Sequence, residues 1–228
     1  MTPEAPVDGH RVPSDHQLSP ANVEAAFSEQ ELWYWNQPAR FKVVELDAVI
    51  ITSGAVVPGD PMFGPLAALK RRISPGRYPV SLALVHLSSG DERIAYARLL
   101  LSPAPVVVWE TGWHEAIASG SVVRDGQSHA LLREYAFYFS DFAGAGCFMD
   151  AAALPAIRAC EFEAYIDMVR DGFDTNRRNT WSWFSFKPDR SREENIVCYQ
   201  TERGGRYSYF GLDVQGNPAV IITDFRMF

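Results

Sequence analysis

The sequence predicts an α+β protein, mainly antiparallel β-sheet arranged as a sandwich of two pseudo-duplicated β units. An N-terminal helix precedes the sheets, and one helix is inserted in the second unit. Three observations carry this reading. From Lys42 onward apolar and polar residues largely alternate with a period of two, as half-buried strands do. A strand motif and a hairpin motif each occur twice. The clearest helical period is in Pro155 to Arg170, where Phe162, Tyr165, Ile166 and Val169 fall at i, i+3, i+4 and i+7.

The elements follow in order. Residues 1–18 are polar and rich in proline, which predicts a flexible tail. Ser19-Pro20 reads as an N-cap followed by proline at the first helical position. Val23, Ala26 and Phe27 then give a helix that extends to about Asn36. Phe41 to Leu46 and Ala48 to Thr52 read as strands. Gly64-Pro65 predicts a short turn of helix through Leu69. Tyr78 to Leu87 and Arg93 to Leu101 are strands joined through Ser88-Ser89-Gly90-Asp91. Val106 to Trp109, Ala136 to Phe139 and Cys147 to Met149 follow. After the inserted helix, with Gly172 expected at its C-terminal cap, come Thr180 to Phe186, Ile196 to Thr201, Tyr207 to Leu212 and Ala219 to Asp224. No stretch reads as a linker, so residues 19–228 are expected to form one domain, with halves at about 41–110 and 136–228.

The repeat is specific. Its first copy is Ser53-Gly54-Ala55-Val56-Val57-Pro58-Gly59-Asp60, then Pro75-Gly76-Arg77-Tyr78. Its second is Ala143-Gly144-Ala145-Gly146-Cys147-Phe148-Met149-Asp150, then Gly204-Gly205-Arg206-Tyr207. Gly54 and Gly144 are 90 residues apart, as are Asp60 and Asp150. The second copy holds about 39 more residues between its strand and its hairpin, room for roughly one helix with loops.

Several of these motifs carry a resemblance. Gly54-x-Val56-x-x-x-Asp60-Pro61, Pro75-Gly76-x-Tyr78-Pro79-Val80, Arg93 to Leu99, Pro105 to Glu110, Gly144 to Asp150, and Tyr207 through Gly216 to Asp224-Phe225 occur in that order. Together the set resembles a bacterial family known as domain of unknown function 4241, over roughly residues 50 to 228. Two departures stand out. Phe142 occupies a place where the family usually has Asp, and Arg203-Gly204-Gly205 lacks the Asp of the family's last hairpin. The chain also resembles accessory enzymes of actinomycete natural-product pathways, including aziridine-forming ones, which implies antibiotic biosynthesis and a cyclase or lyase reaction.

The formal charge is −7, from 21 basic and 28 acidic side chains, with no basic tract. That argues against nucleic acid as partner and favours an amine or a basic protein. The three cysteines have no metal-ligand spacing, and none of the five histidines has a second His or Cys at ligand spacing. No metal and no cofactor is expected. No apolar run is long enough to span a bilayer. With no leader sequence and unpaired cysteines, the expected location is cytoplasmic.

Asp60 and Asp150 are the candidate catalytic pair. Two carboxylates in one cleft repel, which raises one pKa and makes an acid–base group. Asp60 before Pro61 is equally a turn residue, and Asp150 equally a helix cap. Trp181 and Trp183 share a strand face and could enclose an ammonium group, although buried tryptophan is commonly core. Glu110, Asp213, Tyr78 and Tyr207 are further candidates to line the site. Asp213 and Asp224 read just as well as a solvated hairpin face. His114 is a lone candidate base or a surface residue. The expected function is an enzyme that binds an amine-bearing small molecule in an acidic, aromatic cleft and uses carboxylate acid–base chemistry for cyclisation or elimination. The rival reading is an acidic immunity or binding protein that blocks a basic bacterial toxin, with a protein as its partner.

Overall fold

Ser19 caps helix α1 (Pro20–Phe27), its hydroxyl accepting the Asn22 N–H at 3.3 Å. The helix ends well short of Asn36. Glu29 adopts the left-handed region (φ 54°), and the Gln30 N–H returns to the Ala25 carbonyl at 2.9 Å. That closure ordinarily uses glycine. Trp33 and Tyr34, expected in the helix, instead belong to strand β1 (Glu31–Tyr34), paired antiparallel with β2 (Gln37–Glu45). These relations come from a computed structural model that describes residues 18–34, 37–62, 66–87, 91–115, 138–141, 144–201 and 204–228. The expected tail up to Gln17, the Ser88-Ser89-Gly90 turn and Trp35 therefore lie outside the described residues.

The remaining strands are β3 (Val49–Ile51), β4 (Val56–Gly59), β5 (Gly76–Tyr78), β6 (Val80–His86), β7 (Glu92–Leu100), β8 (Val108–Thr111), β9 (Tyr138–Asp141), β10 (Ala145–Asp150), β11 (Trp183–Phe186), β12 (Ile196–Gln200), β13 (Gly204–Leu212) and β14 (Pro218–Asp224). A large sheet has the order β1-β2-β6-β7-β14-β13-β8, with β9 also on β13. A smaller sheet has the order β11-β12-β10-β4, and β3 pairs with β5. All the described ladders are antiparallel. A short segment stitches the two sheets together. Leu69 N–H bonds to the Val56 carbonyl, while Lys70 N–H reaches Trp113 O and Glu115 N–H reaches Ala68 O. Leu69, expected to end a turn of helix, makes a β-bridge to His114 instead.

Burial follows strand parity. Leu82, Leu84, Leu99, Phe210 and Ile221 of the large sheet face Val56, Phe148, Val197 and Tyr199 of the small one, forming the central core. On the other side of the small sheet lies helix α3 (Phe162–Thr175). Its Tyr165, Ile166, Val169 and Phe173 pack on Cys147, Met149 and Cys198. The outer face of the large sheet, with Phe41, Ala83, Tyr96, Val220 and Ile222, receives Val23 and Ala26 of α1. The layers thus run α1, large sheet, small sheet, α3.

The inserted helix is broken where the sequence suggested one run. A 3₁₀ turn (Ala151–Ala153) leads into α2 (Leu154–Ala159), which stops at Cys160. Glu161 is extended, and its carboxylate accepts the Glu163 and Ala164 N–H groups at 3.1 and 2.8 Å, so it caps α3 afresh. Gly172 is not the cap. It lies inside α3, where a Cβ would come within 2.3 Å of the Phe184 ring. Glycine there lets the helix settle on β11. The extra residues of the second copy also supply β11 and β12, beyond the helix alone.

The duplication is visible in the ladders. Pro58 pairs with Phe148, its equivalent 90 residues on, and Val57 pairs with Met149 as Gly59 does with Cys147. A pseudo-two-fold axis therefore passes between β4 and β10. Gly54 and Gly144 both have positive φ, 76° and 70°. The Gly54 carbonyl accepts Ile73 N–H, and the Gly144 carbonyl accepts Thr201 N–H. Hairpins β6–β7 and β13–β14 meet through β7 and β14 in the same antiparallel sense.

These glycines separate two costs. A Cβ at Gly54 would lie 2.5 Å from the Ile73 carbonyl oxygen, whereas one at Gly216, also left-handed, would meet nothing within 4 Å. Gly216→Ala should cost only the left-handed penalty, about 1 kcal/mol. Gly54→Ala should cost about 3 kcal/mol or more, because backbone must move as well. Urea denaturation of the two variants checks the ordering.

Candidate functional site

Antiparallel pairing decides where the two aspartates stand. Asp150 ends β10 beside Val56, at the start of β4, whereas Asp60 follows the far end of β4, one position beyond the Gly59–Cys147 pair. Four residues of strand separate them along the ladder, about 14 Å at ~3.4 Å per residue. The expected carboxylate pair in one cleft is not formed. Symmetry puts equivalent strand ends at opposite ends of the ladder.

Asp150 is fully buried and heavily used. It accepts the N–H groups of Thr52, Ser53 (2.8 Å) and Ala152 (2.9 Å), and the Ser53 hydroxyl. The Thr52 hydroxyl lies between Asp150 Oδ2 at 3.1 Å and Glu194 Oε1 at 2.7 Å. Glu194 in turn receives Arg192 through Nε (3.0 Å) and Nη2 (2.8 Å). The neighbouring Asn195 accepts Ile50 N–H at 2.8 Å and donates to the Ala48 carbonyl at 3.0 Å. The whole corner fixes β3 and the turn into β4. Asp150 also caps the 3₁₀ turn, as one sequence reading held.

Asp60 is 3 % exposed, and its Oδ1 accepts the Met62 N–H at 2.8 Å, the turn geometry expected of Asp before Pro61. Its setting differs from that of Asp150. Cys147 and Cys198, directly opposite each other on β10 and β12, lie within its electrostatic reach, as does Tyr165 of α3. Burial, and then the Asp60 charge, push the Cys147 thiol well up. Cys198 is raised by burial, by Cys147 and by Asp60. Burial likewise raises the Tyr165 phenol, with the cysteines and Asp60 adding to it. At these positions thiol and phenol stay protonated.

The other candidates disperse. Trp181 is a buried residue of the inter-sheet core, and its indole N–H donates to Glu92 at 2.8 Å. Trp183 packs half-buried against the same core, across from Tyr199. The two indoles do share a face, but it is the interior one. Glu110 is exposed and pairs with Arg71 at 2.6 Å. Asp213 closes its own hairpin turn, accepting Gln215 and Asn217 N–H at 2.9 and 2.8 Å. Tyr78 donates its hydroxyl to the Ser74 carbonyl at 2.5 Å. His114 is buried, not superficial; Nδ1 donates to the Ala67 carbonyl at 3.0 Å, and burial lowers its pKa.

Tyr207 leads to a buried acid set among several rings. It is buried opposite Asp224, which the sequence allowed to lie on a solvated face and which is 2 % exposed. The acid–aromatic combination exists, but on the outer face of the large sheet. Its signal in the sequence was the tyrosine-rich strand Tyr207-Ser208-Tyr209. Thr52, Ser53 and Glu194 carried no comparable signal. Among the described residues no group of three or more His, Cys, Asp or Glu side chains is arranged to hold a metal ion, and no helix is long and apolar enough to cross a membrane.

The chain belongs to the family described as protein of unknown function (DUF4241), which matches residues 49–223. No curated protein and no solved structure matches it.

The Glu194 corner sets an acid limit on stability. The Arg192 hydrogen bonds, helped by Thr52 and opposed by burial, hold its carboxyl at about 2, against an ordinary 4.5. Between those values the folded chain binds fewer protons than the unfolded one. This contribution is therefore present above about pH 4.5 and is lost as pH falls through about 2. Glu194→Gln should narrow the difference between the urea midpoints at pH 6 and pH 3; an undiminished difference would place the acid sensitivity elsewhere.

Proposed function

We propose that the protein is an enzyme acting on a small amine-bearing molecule by carboxylate acid–base chemistry, with Asp60 as the general base. The observation that carries this reading is the burial of Asp60 within electrostatic reach of the Cys147 and Cys198 thiols and the Tyr165 phenol. Asp150 is bound by the turn it holds, with the Thr52 and Ser53 side chains among its partners. The positions 90 residues on from Thr52 and Ser53 are Phe142 and Ala143, which carry no hydroxyl. Near Asp60 stand protonated thiols and a phenol. A carboxylate held out of bulk water can accept a proton from a bound amine.

Cyclisation suits that inventory. An amine attacks a neighbouring carbon, its N–H proton passes to Asp60, and the leaving group departs with the electron pair of the broken bond. The chemistry needs positioning more than a protein nucleophile. Antibiotic biosynthesis and aziridine formation are the setting that the sequence resemblance suggests. The cytoplasm remains the proposed compartment.

A second reading has one observation in its favour. Trp33 is 74 % exposed on β1, the outermost strand of the large sheet, in a chain of charge −7. An exposed aromatic residue at a sheet edge is a common anchor for a protein partner. If the protein neutralises a basic toxin, Trp33→Ala should weaken that complex at least tenfold and leave amine turnover untouched.

The first reading is tested with amines that carry a leaving group on the adjacent carbon, by following release of that group. Asp60→Asn should keep the unfolding midpoint within a few degrees and lower kcat about a hundredfold or more. Asp150→Ala should instead destabilise by about 3 kcal/mol or more, since buried donors lose their acceptor. Full turnover by a folded Asp60→Asn protein would remove the proposed base.

A further inference from the structure

The outer face of the large sheet carries a second arrangement that the Asp60 chemistry does not use. Asp224 of β14 lies opposite Tyr96 of β7 on one side and Tyr207 of β13 on the other. Residues opposite one another in a ladder share a face. Tyr209 is two residues on from Tyr207 and therefore joins them. Trp113 packs against the Tyr207–Tyr209 pair. A nearly buried carboxylate is thus ringed by aromatic side chains.

A cation already sits there. The Arg226 backbone N–H donates to Asp224 Oδ1 at 2.7 Å, which tethers the residue, and its guanidinium carbon stands 5.6 Å from the centre of the Tyr207 ring. Burial raises the Tyr209 phenol, Asp224 and Tyr207 raise it further, and Arg226 opposes them, so both charges act at one ring. Arg226 is held in an unusual way. Its φ is 57°, the left-handed region, which costs a residue with a Cβ about 1–2 kcal/mol. Its side chain is exposed, whereas Asp224 beneath it is not. An exposed arginine also keeps much of its rotamer freedom when released. This is a tethered and displaceable occupant.

We propose that Asp224, Tyr96, Tyr207, Tyr209 and Trp113 form a seat for the cationic head of a small organic ligand, an alkylammonium group, and that Arg226 fills the seat until the ligand displaces it. The carboxylate supplies the countercharge and the rings supply quadrupole attraction, a combination that favours a cation over its neutral isostere. The seat faces away from the inter-sheet core. It stands independently of the role given to Asp60.

Calorimetric titration of the full chain with choline, and with its uncharged isostere 3,3-dimethylbutan-1-ol at matched ionic strength, tests the seat. Choline should bind and the alcohol should not. Arg226→Asn removes the resident cation and keeps a residue that tolerates the left-handed conformation. It should bind choline about tenfold more tightly, roughly 1.4 kcal/mol. Adding Tyr207→Leu or Asp224→Asn to that variant should cost at least tenfold, and either one suffices if the other fails to fold. Asp60→Asn should bind choline as the parent does, which separates failure of the seat from failure of the base. Equal binding of choline and the alcohol would overturn the proposal. So would unchanged or weaker choline binding by folded Arg226→Asn, or no binding by either protein.

Discussion

Antiparallel pairing between the two copies of the repeat is the constraint on which the rest of the structure depends. β4 pairs with β10 and β7 pairs with β14, so antiparallel pairing between the copies sets the centre of the large sheet and one side of the small one. Each copy contributes to both layers, and the central core between them holds residues of both. A single copy would leave its inner strand faces open to water, at a cost of about 25 cal/mol for each Å² of apolar surface. Duplication and burial are therefore one problem with one solution. The extra helices and strands of the second copy add to this frame without breaking it, because α3 covers the outer face of the small sheet.

Burial explains the polar corner around Asp150. Burying a carboxylate costs several kcal/mol unless donors surround it. The turn between β3 and β4 supplies them from Thr52 and Ser53, and in doing so is itself pinned. Glu194 extends the arrangement through the Thr52 hydroxyl and carries its own cation in Arg192. Asn195 then ties the start of β3, through the Ala48 carbonyl and the Ile50 N–H. One buried acid thus organises a loop whose backbone would otherwise leave several N–H groups without partners.

Much of the fold was legible because its signals are local. Alternation located most of the strands, and the repeated glycines marked two left-handed turns that the backbone does adopt. What was not legible depended on residues standing in for the usual ones. Glu29 fills the left-handed position where glycine normally ends a helix, so nothing in the sequence stopped α1 before Trp33. Glu161 caps a helix that the apolar period ran straight through. Gly172 resembled a terminator and is a packing contact with Phe184. The site was harder still. A repeat in sequence carries no information on whether its copies pair parallel or antiparallel, and that choice alone puts Asp60 and Asp150 together or apart. Trp181 and Trp183 do share a face, as alternation requires, but alternation does not say which face is the interior one.

Distance then changes the chemistry open to Asp60. At about 14 Å and an effective dielectric of 20 to 80, two unit charges interact by roughly 0.3 to 1.2 kcal/mol. That is less than one pKa unit, which corresponds to about 1.4 kcal/mol. Repulsion from Asp150 is therefore too weak to make Asp60 a base poised near neutrality. On its own side of the ladder Asp60 is buried, with the Cys147 thiol and the Tyr165 phenol within electrostatic reach. These groups contribute no charge, so they act by excluding water and not by repelling the carboxylate. At Asp224 a buried acid meets tyrosine rings, with the Arg226 guanidinium over one of them. The proposed proton transfer and the proposed cation seat thus have separate places in the fold, one beside the small sheet and one on the far face of the large one.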